Sequence, residues 1–542
     1  MSILDIVLGT ASSHGYLAVC VALLVYWSQL AVRRLFLSPI AHIPGPKLAA
    51  MTQLYESYYD IWLGGQYTLR ILEMHKQYGP IVRISPWEVH VGDADFFNEL
   101  YAGSGRRRER WSFFTKQFGA DQSTLSTIDH DHHRLRRSAL NPFFSNQGVK
   151  SLQPVIEERA DTLLERLQAY GQTSSKPLNI MYPFSAFTND VICEYSFARS
   201  EHLIEDAQFG KQSTECLLMG THMGPIIKHV GSIGHMLVNS LPDWFSARYV
   251  PGWSGFLKLK KDIRDQINEI KATEHTEKWQ LDVDHPTIFH EMLSSKVLPP
   301  EEKTVTRLAH DGQILVQAGT LTTSWTIAVA TFHLLNRPES LTQLRDELFE
   351  RIPDPNEVVP LARLEQFPYL RAVIKEALRL AFGTSSRLSR VAPDETMQLF
   401  DKEKNKTWKI PPGTVVSMTS YKTQTDPTIY YDPFGWHPER WIEDGGRQEK
   451  DLPVFNAGSR VCLGIYLAEA ELYLMIAKLF RRWGGGGAVG GHAKEDKRVG
   501  DMGKMKLFDT STKDCEMAAD YFIPIPYKGS RGLRVVFEPA KN

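Results

Sequence analysis

Ten residues near the C-terminus, Phe455-Asn-Ala-Gly-Ser-Arg-Val-Cys-Leu-Gly464, constrain this chain more than any other stretch. An apolar helical pattern from Ile465 to Trp483 follows at once. Cys462 therefore stands just ahead of a helix N-terminus. Unpaired backbone N–H groups and the positive end of the helix dipole favour a thiolate there, and a thiolate is a soft ligand for a transition metal. Gly458 and Gly464 allow the backbone to turn sharply and to lie close beneath a flat group. Arg460 offers a planar, permanently charged guanidinium to a carboxylate. Phe455 can keep water from the sulfur. A lone cysteine in a glycine turn is ordinarily buried and inert, so the reading rests on the pattern as a whole.

That pattern, Phe-x-x-Gly-x-Arg-x-Cys-x-Gly, is complete, and it resembles the heme-binding loop of the cytochrome P450 family. The resemblance implies heme b, with Cys462 as the axial thiolate on iron and with Phe455, Gly458, Arg460 and Gly464 around the cofactor. A thiolate pushes electron density onto iron and favours O–O cleavage.

The chain has 542 residues and a net charge of −1, so no global field points to nucleic acid. Its five cysteines are scattered and show no zinc spacing, which indicates a reducing compartment. Gly15 to Val32 is apolar and uncharged, about long enough to span a bilayer as a helix. Arg33 and Arg34 follow and mark the cytoplasmic side. A cleaved signal peptide is the alternative, but a basic leading region is missing. Ile43-Pro-Gly-Pro-Lys47 then makes a stiff joint. The expected layout is an anchor over 1–38, a hinge over 39–47 and a catalytic domain over 48–542. Its fold class is mainly α with small β sheets, the cytochrome P450 fold behind an N-terminal transmembrane helix.

Further marks follow in family order. His133 and Arg137 are four apart on a helix and share a face. The family places Trp and Arg there, on the heme propionates; histidine stands at the tryptophan position. A solvated basic face is the other reading. Glu301 to Leu335 is one long helical pattern, about 50 Å at the usual rise. In its middle lie Ala318, Gly319 and Thr322, where small residues admit a flat cofactor and a local break can open a pocket. Thr322 matches the family threonine that helps deliver protons. Leu321 occupies the position usually held by an acid. The Thr322 hydroxyl could instead bond back to its own helix.

Glu376 and Arg379 are neighbours on a helix face, ordinarily a weak surface pair. The family joins them to a later arginine, here Arg440, in a buried structural network. Arg390 stands where a further propionate partner is expected. Met219, Met223 and Met236 could roof a substrate site or simply pack between helices. Gly484 to Gly491 reads as a loop. Phe522 to Tyr527 and Leu533 to Phe537 read as a closing hairpin.

The wording around the basic helix, Asp129-His-Asp131 before it and Asn141-Pro-Phe-Phe-Ser145 after it, resembles fungal trichodiene-oxygenase-like members. The implied protein is a monomeric monooxygenase of the endoplasmic reticulum membrane, with its catalytic domain in the cytosol. An NADPH–cytochrome reductase would supply its electrons, and its substrate would be an apolar terpenoid or polyketide. A heme-thiolate isomerase or dehydratase that needs no NADPH, and a non-catalytic heme or ligand carrier, are the rival readings.

Overall fold

The computed structural model describes residues 3–103, 105–239, 248, 252–273, 285–443, 445, 449, 452–485 and 498–540. They group into two compact units, Met1–Leu100 with Ser389–Met418, and Tyr101–Leu388 with Thr419–Asn542. Residues 389–418 belong with the N-terminal unit because two of their strands complete its sheet.

In that first unit, helix α1 covers Ile3–Phe36. Its segment Tyr16–Phe36 is long and apolar enough to cross a membrane, with a mean hydropathy of 1.5. Tyr16, Leu24 and Trp27 are exposed, and Arg33 and Arg34 fill the last turn. Helix α2 (Tyr67–Tyr78) packs Tyr67, Ile71 and Met74 against Val82 and Ile84. The sheet runs Ile81–Arg83, Glu88–Val91, Val415–Ser417, Arg390–Val391, with only the middle pair parallel. The proline-rich segment Ile43–Lys47 lies directly on it. Arg83 N donates to Pro44 O at 2.7 Å, and a Cβ on Gly45 would meet Arg83 O at 2.2 Å. Lys406–Ile410 pairs with Met397–Asp401 rather than with Val415–Ser417. Pro411 and Pro412 lack N–H groups and break the run between them.

The second unit is helical. In chain order its main helices are α3 (His130–Leu140), α4 (Asn146–Thr173), α5 (Met181–Phe197), α6 (Lys211–Asn239), α7 (Trp253–Thr273), α8 (Val305–Asn336), α9 (Pro338–Arg351), α10 (Pro368–Ala381) and α11 (Ile465–Arg482). Sequence signals set their starts. Asp129 caps α3 by accepting from His132 N, Ser145 caps α4, Thr304 caps α8, and Pro368 opens α10. Helix α8 is the central element and packs on α5, α7, α10 and α11. It is unbroken, so the expected local break is not formed. Met219 and Met223 pack with Ile227, Trp253 and Phe256 between α6 and α7, the ordinary helix-packing alternative. The side chain of Met236 lies outside the described residues.

A second sheet runs Leu178–Asn179, Arg534–Pro539, Gly503–Leu507, Trp483–Gly485. Gly484 and Gly485 thus form a strand, parallel to Gly503–Leu507, while the rest of the expected glycine loop lies outside the described residues. The closing hairpin also differs from expectation. Ala519–Tyr521 pairs with Ile523–Ile525, and Arg534–Pro539 goes to the second sheet. Pro524 and Pro526 lack N–H groups and confine their segment to this short ribbon.

The start of α8 is tied to α3 through Glu302. Its carboxylate accepts from His132 Nε2 at 2.6 Å and Arg136 Nε at 2.7 Å, and Arg307 Nε lies at 3.1 Å. Burial works against this charge, but the Arg136 and His132 hydrogen bonds and the two guanidinium charges outweigh it, holding the carboxyl at about 2. Folding that depresses an acid's pKa adds stability above the unfolded value and loses it as pH falls through the folded one. Unfolding free energy should therefore decline between about pH 4.5 and pH 2 in wild type, and E302Q should flatten that decline. E302Q should also cost about 1–3 kcal/mol near neutral pH, by weakening the charge-assisted bonds from Arg136 and His132, while Asp311 at 3.0 Å still compensates Arg307. Urea unfolding at several pH values reads both effects.

Candidate active site

The cysteine loop is built by backbone bonds. Cys462 N donates to Phe455 O at 2.9 Å and Val461 N to Gly458 O at 3.1 Å, closing the loop on itself. Gly458 has φ +73°, and a Cβ there would meet Ala102 O at 2.2 Å, so both conformation and contact demand glycine. Gly464 is different. Its φ is −91°, and an added Cβ would meet no protein atom within 4 Å. It caps α11 and lines a cavity of about 310 Å³.

That cavity gathers most of the expected site. Its walls include Phe455, Arg460, Cys462 and Gly464 from the loop, His133 and Arg137 from α3, and Ala318, Gly319 and Thr322 from α8. Cys462 is accessible from it. Burial pushes the Cys462 thiol up from its ordinary value, while the Gly464 N–H and the Arg137 guanidinium pull it down.

Arg137 sits half-buried, with Nη1 donating to Val461 O at 2.5 Å and Nε to Asn141 Oδ1 at 3.2 Å. Burial lowers its pKa and Cys462 raises it. His133 is buried on the same helix face. Arg460 is also buried and donates to the carbonyls of Thr127, Ile128 and Asp129, at 2.5, 2.8 and 3.2 Å. It thereby binds the cysteine loop to the N-terminus of α3. Arg390 belongs to the first unit, buried on its strand with Nη1 donating to Ser389 O at 2.9 Å.

On α8, the Thr322 hydroxyl donates to Ala318 O at 2.9 Å, the back-bonded alternative. Leu321 is buried on the cavity wall. A Cβ on Gly319 would meet Ile192 at 3.0 Å, so that glycine lets α8 approach α5.

Glu376, Arg379 and Arg440 come together with fully buried side chains. Arg379 donates to Glu376 at 2.8 and 2.9 Å, and Arg440 Nε lies 3.3 Å from Glu376 Oε1. The carboxylate also accepts from His437 N at 2.9 Å and Trp441 Nε1 at 3.0 Å. Arg379 further donates to Gln424, Pro433 and Gly435 carbonyls. The cluster thus fixes the segment 424–441 that leads toward the cysteine loop.

Sequence reasoning missed Glu471. It is buried on α11, lines the cavity, and is pushed well above the ordinary carboxylate range by burial, with the Thr323 hydroxyl opposing. Its signal was available: one acid on an otherwise apolar helix face. Asp520, at the cavity-lining hairpin, carried no such signal.

The residues present fit a heme: a sulfur open to the cavity, a glycine with free space before it, and Arg137 beside the sulfur. The sequence model of the family described as Cytochrome P450 matches residues 50–484. The chain belongs to the cytochrome P450 family.

Fungal relatives match this cytochrome P450 almost end to end. Cytochrome P450 monooxygenase tpcC of Cochliobolus heterostrophus is 41% identical, over 94% of each chain. Tryptophan 6-hydroxylase fscE of Fusarium equiseti is 38% identical, over 94% of each. N-acetyltryptophan 6-hydroxylase ivoC of Emericella nidulans is 36% identical, over 94% of this chain and 95% of the relative. The protein is accordingly an oxidoreductase, a heme-thiolate monooxygenase similar to those of fungal secondary metabolism.

Proposed function

We propose that this cytochrome P450 inserts one oxygen atom from dioxygen into an apolar small molecule, a terpenoid or polyketide, during fungal secondary metabolite synthesis. The observation that supports it is one cavity lined both by Cys462 and by Ala318, Leu321 and Thr322. When bound, the heme supplies dioxygen activation and the oxygen-insertion chemistry. The chain's own residues do the rest. Cys462 provides the soft anionic ligand. Arg137, Arg460 and His133 offer cationic or hydrogen-bonding partners for the heme carboxylates. Apolar walls such as Leu140, Ile192 and Leu388 exclude water. Thr322 presents a hydroxyl that can hold and pass a proton. With Leu321 beside it, the proton must reach that hydroxyl from water or from substrate.

Electrons come from NADPH through a membrane reductase. The segment Tyr16–Phe36 anchors the chain in the endoplasmic reticulum membrane with its catalytic part in the cytosol, an orientation that Arg33 and Arg34 favour. The test is turnover of candidate substrates by the purified protein with and without NADPH, reductase and dioxygen. Product that requires all three supports the monooxygenase. Product formed without NADPH would replace it with an isomerase or dehydratase, the reading that Leu321 favours.

A further inference from the structure

Phe522 is the tip of the hairpin between Ala519–Tyr521 and Ile523–Ile525. Its φ is +75°, a left-handed conformation unfavourable for a bulky side chain. Such strain persists only where surrounding contacts impose it, and it clusters at functional sites. Here the contacts are explicit. Asp520, itself buried, accepts at Oδ1 from Phe522 N at 2.9 Å, Ser385 Oγ at 2.8 Å and Ser386 Oγ at 2.7 Å. Its Oδ2 accepts from Ser386 Oγ at 2.9 Å. Phe522 O in turn accepts from Ser385 N at 3.1 Å. One carboxylate thus joins the hairpin tip to the segment after α10, and both line the cavity through Phe522, Thr384 and Leu388.

The clamp places an aromatic ring. Phe522 lies 4.9 Å from Phe118, nearly perpendicular at 88°, and 6.3 Å from Phe114. Phe114 and Phe118 are 5.8 Å apart at 78°. Phe118 and Phe522 both line the cavity. Edge-to-face rings present the complementary quadrupole edges and faces that a further flat π system can join, and a buckled saturated ring gains only burial from them.

We propose that Asp520 is a positioning residue which sets Phe522, beside Phe118, as an aromatic wall of the substrate cavity, and that the substrate is a flat aromatic compound. This rests on the reading that the cavity takes the substrate, and it narrows that substrate to aromatic members of the apolar class.

The experiment compares 2-naphthol with 2-decalol, which share a carbon skeleton but are flat and buckled respectively. Binding to the full-length holoenzyme is read by the Soret shift and, independently, by equilibrium dialysis. Wild type should bind 2-naphthol about tenfold tighter. F522L keeps apolar bulk and removes the ring. It should lose most of that preference, with 2-naphthol affinity falling several-fold more than 2-decalol affinity. D520A should lose the preference as well, and D520N, which keeps an acceptor oxygen, should restore part of it. Equal affinities in wild type, or an undiminished preference in F522L, would overturn the aromatic wall. A D520A protein that binds like wild type would overturn the clamp. If D520A fails to fold, F522L and D520N still decide. Absence of any heme spectrum would instead sink the monooxygenase reading, with dialysis still reporting on the cavity.

Discussion

C462A yields a protein whose reduced, carbon-monoxide-bound form lacks the red-shifted thiolate Soret band, and monooxygenase turnover falls to background. Among the described residues, Cys462 is the one cysteine that lines the cavity. Cys193 and Cys515 are buried elsewhere, and burial holds both thiols above their ordinary range. The cysteine loop is closed by backbone bonds and by Arg460, none of which uses the sulfur. The substitution should therefore change apoprotein stability by under about 1 kcal/mol. A spectrum and a urea titration on one preparation separate the two effects. A thiolate-type band that survives in C462A would remove this cysteine from the site.

E376L produces the largest loss of stability, about 3–5 kcal/mol, because Arg379 and Arg440 then lie buried without a counter-charge. That is a large share of the 5–15 kcal/mol typical of a folded domain. His437 N and Trp441 Nε1 also lose their acceptor. The segment 424–441 should loosen first, and the yield of heme-loaded protein should fall with it. Denaturant midpoints and hydrogen exchange over 424–441 check this. Replacing all three members with apolar residues should recover part of the loss, since a buried ion cluster costs desolvation that an apolar core does not. Full wild-type stability in E376L would show that the cluster's charges are not balanced by one another.

Much of this protein was legible in its chain. Local signals act over a few residues, and they survive translation into structure. Pro368 opens a helix, Asp129 and Thr304 cap helices, and the uncharged run before Arg33 becomes an uncovered helix. Gly458 is glycine for the reason its neighbourhood in sequence suggests, a left-handed turn. Cys462, Thr322 and Arg137 could be picked out because their spacings are fixed by one loop or one helix.

Other features are set by partners hundreds of residues away. Gly319 looks like space for a cofactor and is taken up by Ile192. Arg460 lines the cavity as expected, and its guanidinium is also held by carbonyls from 127–129, a tie that its place in the sequence does not show. The two C-terminal segments look like one hairpin but join different sheets, because prolines remove the donors that pairing requires. Asp520 and Glu471 are ordinary acids in the sequence. Only burial, and the hydroxyls brought to them by distant segments, give them distinct roles. The sequence by itself determined the helix starts, the apolar N-terminal helix and the turn of the cysteine loop, since each depends on short-range geometry. The tertiary structure alone decided which polar groups are satisfied by protein and which remain directed at the cavity, since that accounting closes only when the whole chain is packed.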